Sequence, residues 1–300
     1  MGIAKRIFGA FRRNSSAISF VILVGFLVMM SSVGYHILAY DSSEFLKEPE
    51  AQQYENSVGK VVVMDEWART KYYWSHNLRV ANLYVVTTPS YLSFHSSAFT
   101  GYSVGIATSY WYHVLGANAS AALTFLAGIF VHGVLELTGA FIIAGATLRA
   151  AWNFWKGVGH IASVSGKSGK IWPWGLSRRE RKKLREYKDR AKEFLADFVI
   201  LVGLGTFLIF LAGPIESYVS PSVMATFGEA LLLAITFLVI IAFLYFSIFA
   251  WGLGAMKRDI RAVYGDVKLA FKRKWRPTQL SFLMFVVFTA FFFVLLIFLP

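Results

Sequence analysis

Apolar residues run almost unbroken over 17–40, 77–95, 98–115, 120–150, 195–213, 223–254 and 279–299, and polar residues gather between these runs. Stretches of about 18–20 apolar residues match the thickness of a bilayer, so the pattern predicts membrane-spanning helices. A barrel would instead show alternating segments of about ten residues. The predicted fold class is all-α: a polytopic transmembrane helical bundle of about seven spans, forming a single membrane domain over 1–300. Three runs depart from an ideal span. Pro89, in "TTPSY", removes a backbone donor. Gly101 and Gly105 form a GxxxG that permits close helix approach. The 120–150 run is long for one straight span and holds a His-Gly pair near its middle. Re-entrant or broken helices are therefore expected around 77–135, where protein can bury irregular backbone.

The polar segments carry the topology. Residues 1–16 hold four positive and no negative charges, and 41–75 hold four positive and seven negative. Residues 156–193 hold twelve positive and four negative, and 257–276 hold eight positive and two negative. The positive-inside rule places the N-terminus and the basic loops 156–193 and 257–276 in the cytoplasm. The segment 41–75 then lies outside the membrane, and seven spans put the C-terminus outside as well. "DEWARTKYYWSHNL" sets Trp67, Tyr72, Tyr73 and Trp74 beside charges, so 41–75 is expected to be an extracytoplasmic amphipathic segment along the outer leaflet. In 178–195, Leu184, Tyr187, Ala191 and Phe194 recur at helical spacing, which predicts an amphipathic helix leading into the fifth span. The run after the basic N-terminus is too long for an ordinary signal-peptide core and reads as an uncleaved first span.

Composition agrees with this picture. The chain is 56% hydrophobic and 16% charged, where a soluble domain has about a quarter charged residues. The net charge of +13 follows from the topology signal and favours anionic lipid headgroups over nucleic acid. With no cysteine, disulfides and thiolate metal sites are excluded.

Candidate chemistry is sparse. His132 and Glu136, in "FVHGVLELTG", share a helix face four residues apart. Gly133, Gly139 and Ala140 lie near that face, so the pair is expected to point into the bundle, where an ionisable group costs a few kcal/mol unless partnered. The pair is read either as an interhelical hydrogen bond that fixes packing or as part of an ion, proton or ligand site. "AGPIESYVSP" at 212–221 predicts a tight outer turn with Glu216 at the rim, above the level of His132, and Pro221 opening the sixth span. Glu229 is expected to be a further buried acid, with Arg79 as counter-charge to it or to Glu136. The common hydrolase, phosphate-binding and dinucleotide motifs are missing from the sequence, and no catalytic role, cofactor or metal is assigned. A His-x-x-x-Glu pair without a third ligand in sequence is weak as a metal site.

"VHGVLELTGAFIIAGATL" and "PIESYVSP", in this order, resemble the stage II sporulation protein M family of integral membrane proteins. Its hallmarks are Pro-His-Gly-x-x-Glu-Leu followed by a small-residue helix, and a downstream Ile-Glu-x-x-x-x-Pro. The resemblance covers about 75–260 and carries over to His132, Gly133, Glu136, Glu216 and Pro221. Val131 stands in place of the family's proline, which weakens the case for a sharp break there. The resemblance implies a multi-span, non-enzymatic cell-membrane protein that works as a scaffold or assembly component with membrane or envelope protein partners and membrane lipids, and an oligomer is compatible with it. It does not carry sporulation over as a role. The competing reading from the residues is a transporter or channel-like protein for a small ion or solute, using His132 and Glu136.

Overall fold

The computed structural model describes residues 2–86, 88, 93–168 and 178–272. Pro89 and the predicted seventh span at 279–299 lie outside the described residues, as do the side chains of Leu184 and Tyr187. Among the described residues the chain is all-helical, without a strand. The helices are α1 (Ile3–Ala39), α2 (Ser42–Phe45), α3 (Pro49–Val62), α4 (Glu66–Val86), α5 (Ser93–Val114), α6 (Ala119–Ser168), α7 (Arg178–Pro214), α8 (Ser220–Glu229) and α9 (Leu231–Lys272). A π-turn, Ile215–Val219, joins α7 to α8.

The central post is α6. A helix that is apolar all round is buried on all sides, and α6 meets α1, α4, α5, α7, α8 and α9. Phe130, Leu137, Phe141 and Ala144 of α6 share a core with Ile18, Val21 and Ile22 of α1 and with Ile241 and Tyr245 of α9. Paired contacts give the helix directions. Ser97 donates to the Val21 carbonyl and His113 reaches the His36 carbonyl, so α5 runs parallel to α1. Thr138 meets Tyr245 and Arg149 meets Asp259, so α9 runs with α6. Gly139 faces Gly205 while Gly128 faces Met224, so α7 and α8 together run antiparallel to α6. A Cβ on Gly213 would meet the Trp74 ring, while Ala81 shares a core with Ile209, four residues back along α7, so α4 runs against α7.

Four stretches are long and apolar enough to cross a membrane: Ile3–Ala39, Ala119–Phe154, Ala191–Glu229 and Leu231–Asp259. The predicted runs 77–95 and 98–115 correspond to α4 and α5, which lie within the bundle without meeting that measure. Arg69, Lys71, His76, Asn77 and Arg79 make α4 polar, and serines, threonines and histidines do the same to α5.

Two local expectations are corrected. First, α6 runs unbroken through His132 and Gly133. With Val131 where a proline would interrupt the ladder, every backbone donor is available. A Cβ on Gly133 would meet only Ile129 and Leu137 of its own helix, at 3.6 and 3.9 Å. Likewise α5 is continuous from Ser93 to Val114. Second, 212–221 is no tight turn: the chain stays helical from α7 through the π-turn into α8. Its two prolines explain the irregularity. Pro214 cannot donate to the Phe210 carbonyl, and the Trp74 indole takes that acceptor at 2.7 Å. Pro221 cannot donate to Ser217, and the preceding turn widens so that the Ser220 N–H reaches Ile215. The chain reverses later, at Ala230.

The 41–75 segment divides between α2, α3 and the start of α4. Asp41 caps α2, and the Glu44 N–H and the Ser43 hydroxyl hold its carboxyl below the ordinary carboxylate range. Phe45 and Ala51 pack on Tyr110 of α5, which fixes α2 and α3 over that end of the bundle. At the opposite end, two acids knit the helices. Asp197 of α7 takes a paired hydrogen bond from Arg13 of α1, at 2.6 and 2.7 Å. Asp259 of α9 accepts from Arg149 of α6 at 2.8 Å and from Ser16 of α1.

Candidate functional site

Glu216, which sequence alone kept apart from the His132–Glu136 pair, converges with it beside the π-turn. His132 and Glu136 project from one face of α6, as their spacing predicts. Glu216 comes from the π-turn, on the other arm of the α6–α7 hairpin. One ligating atom from each residue lies within 4.8 Å of the other two. His132 Nε2 stands 3.4 Å from Glu216 Oε1, with the two side chains 12% and 15% exposed. Glu216 thus lies at the level of His132, deeper than the expected rim position. Extra residues in helical turns often mark functional sites because they re-aim side chains; here the wide turn directs Glu216 against α6.

A second layer orients the group. Ser220, itself buried, bonds His132 Nδ1 at 3.0 Å and donates its hydroxyl proton to the Ile215 carbonyl at 3.2 Å. In the arrangement that satisfies both contacts, Nδ1–H donates to the Ser220 oxygen, an assignment made from the hydrogen-bond network. Asn77 of α4 lies against Glu136, and Tyr73 of α4 lies against Glu216. Glu216 Oε2 is nevertheless buried without a hydrogen-bond partner. Tyr54 of α3 faces this region and accepts from the Trp111 indole at 3.3 Å. Burial pushes its hydroxyl up to about 12, so it stays uncharged at neutral pH.

The other predicted residues fall elsewhere. Glu229 is exposed at the last residue of α8, outside the group; ten residues of α8 carry it past His132 toward the start of α6. Arg79 is exposed and pairs with neither Glu136 nor Glu229 among the described residues. Six residues after Tyr73 on α4, about 240° further round the helix, it points off the face that carries Tyr73. Pro221 is exposed and acts through the backbone, while Gly133 is buried and a Cβ there would meet only its own helix. Sequence reasoning missed Ser220, Tyr73 and Asn77. Ser220 carried a usable signal, because a serine between a conspicuous acid and a proline can cap or bond locally.

A family model described as stage II sporulation protein M matches residues 17–221. The match begins within α1, well before the start inferred from the two motifs, and ends on Pro221, so it contains the whole cluster and excludes α9. No curated protein and no solved structure matches the chain.

Proposed function

Because the chain belongs to the stage II sporulation protein M family of membrane proteins, we propose that it serves as a scaffold or assembly component of a membrane complex. The observation that supports this over transport is the closed packing on both sides of the polar cluster. One turn beyond Glu136, α6 and α7 touch backbone to backbone at Gly139 and Gly205. One turn before His132, Met224 of α8 packs onto Gly128. A solute path through His132 and Glu136 would have to part both contacts. Large apolar side chains remain exposed along α7 and α9, among them Phe207, Val239, Ile240, Phe243 and Phe246. They suit lipid or the spans of a partner. Crosslinking in native membranes, followed by purification, is expected to recover the same membrane or envelope proteins reproducibly, in a complex larger than the chain alone. Recovery of the chain by itself would defeat the reading. Ion flux in proteoliposomes that vanishes with Glu136→Gln would replace it with transport.

The same reading includes an orientation. The N-terminus and the basic stretches 156–193 and 257–276 face the cytoplasm, and α2 and α3 face outward. The chain has no cysteine, so a single Ser42→Cys variant reports cleanly. An impermeant thiol reagent is expected to label it on intact cells. Labelling only after the membrane is opened would invert the orientation.

A further inference from the structure

We propose that His132, Glu136 and Glu216 bind one first-row divalent cation of the zinc type, tying α6 to the π-turn that follows α7. Three independent features of the cluster point there.

The first is the lone-pair arrangement. In the tautomer that satisfies both Ser220 contacts the hydrogen sits on Nδ1, so the Nε2 lone pair faces outward from the ring. What it faces is a carboxylate oxygen at 3.4 Å, another acceptor. Two acceptors in contact need a cation or a proton between them. The second is geometry. Ligands at about 2.0–2.1 Å from a tetrahedral ion stand about 3.3–3.4 Å from one another. The His132–Glu216 separation of 3.4 Å already matches such an edge. The three ligating atoms lie within 4.8 Å of one another, so closing the set asks at most about 1.5 Å of movement, within reach of a flexible glutamate. The third is charge and desolvation. Glu216 Oε2 is buried without a partner, and no lysine or arginine among the described residues forms an ion pair with Glu136 or Glu216. Two carboxylates and a neutral imidazole carry a charge of −2, which one divalent ion cancels. In a low-dielectric interior that neutrality removes the desolvation cost that unpaired charges would carry.

The donor set also selects among ions. One nitrogen and two oxygens suit zinc and its first-row neighbours, whereas magnesium and calcium prefer oxygen alone. Three protein ligands leave a fourth position open, and Tyr73 and Asn77 stand beside the two carboxylates as outer partners. The ion would act as a clamp. It would join two arms of the α6–α7 hairpin at the point where Pro214 and Pro221 have interrupted regular helix. This binding does not depend on the scaffold reading, since it is a property of the isolated chain.

The test uses the full chain, purified in detergent with any histidine tag removed, stripped with a chelator and titrated with Zn2+ or Co2+ alone. One equivalent per chain is expected, with a visible Co2+ spectrum of low-coordinate type and a Zn2+-dependent rise in melting temperature that Mg2+ and Ca2+ do not reproduce. Glu216→Gln and His132→Gln keep side-chain size and should each weaken binding at least about ten-fold, while Glu229→Gln, off the cluster, should leave it unchanged. Binding that is equal in Glu216→Gln and the parent would overturn the site. If the variants fail to fold, the parent decides by itself: no bound equivalent, or a six-coordinate Co2+ spectrum like that of the free ion, means that a proton fills the gap and the proposal is wrong.

Discussion

Gly139→Leu should abolish the recovery of folded, monodisperse protein, and Gly205→Leu should do the same. The reason is reciprocal contact. A Cβ on Gly139 would lie 2.5 Å from the Gly205 carbonyl oxygen, and a Cβ on Gly205 would lie 2.6 Å from the Gly139 carbonyl oxygen. Both obstacles are backbone, so neither can rotate aside. Overpacking a core commonly costs about 1–3 kcal/mol even where side chains can adjust. Here two long helices would have to separate, and in lipid their association rests on close van der Waals packing because the solvent is as apolar as the side chains. Gly203 is the control, two residues earlier on α7 and so on nearly the opposite side of the helix, with nothing within 4 Å of a Cβ. Gly203→Ala should be neutral or gain about 0.5–1 kcal/mol from helix propensity. Size-exclusion profiles and melting curves in detergent check all three. A stable, monodisperse Gly139→Leu protein would mean that α6 and α7 do not touch there.

Arg13→Ala is the other large effect, because it strands a charge. Asp197 is 3% exposed and its partner Arg13 is 44% exposed. Removing the arginine leaves a buried carboxylate with only Asn14, at 3.5 Å, to help it. Losing one member of a buried pair costs about 3–5 kcal/mol, and the partial exposure of Arg13 places this case near the lower figure. Asp197→Asn should cost less, since Arg13 can turn toward water and an amide keeps some of the hydrogen bonding. Combining the two should therefore be milder than Arg13→Ala alone. Denaturation of the three variants measures the coupling, and additive losses would show that the pair does not act as a unit. The Arg149–Asp259 pair, with Ser16 as a third member, offers an independent comparison at the same end of the bundle.

The long apolar runs needed no partner to be recognised. Spacing of i and i+4 placed His132 and Glu136 on one face of α6, and the helical pattern after Arg178 led correctly into α7. These features are local: a helix satisfies its own backbone, so hydropathy and period reveal it. The two family motifs were also legible as residues, and the family itself follows from them.

What the sequence did not contain was the register between helices. Glu216 reads as the rim of a turn because prolines flank it. Only packing against α6 and Trp74 shows that the prolines widen the helix without ending it, and this brings Glu216 to the level of His132. Glu229 and Arg79 failed as cluster members for the same reason. Each is polar and near an apolar run, but facing direction depends on which neighbour a helix meets. The Asp197 and Asp259 pairs join residues more than a hundred positions apart, a separation over which no periodicity carries information. The sequence by itself thus determined helices, membrane character and the residues able to do chemistry. The tertiary structure alone decided which of those residues meet, because side-chain convergence is set by helix–helix packing, and packing is a property of surfaces that lie far apart along the chain.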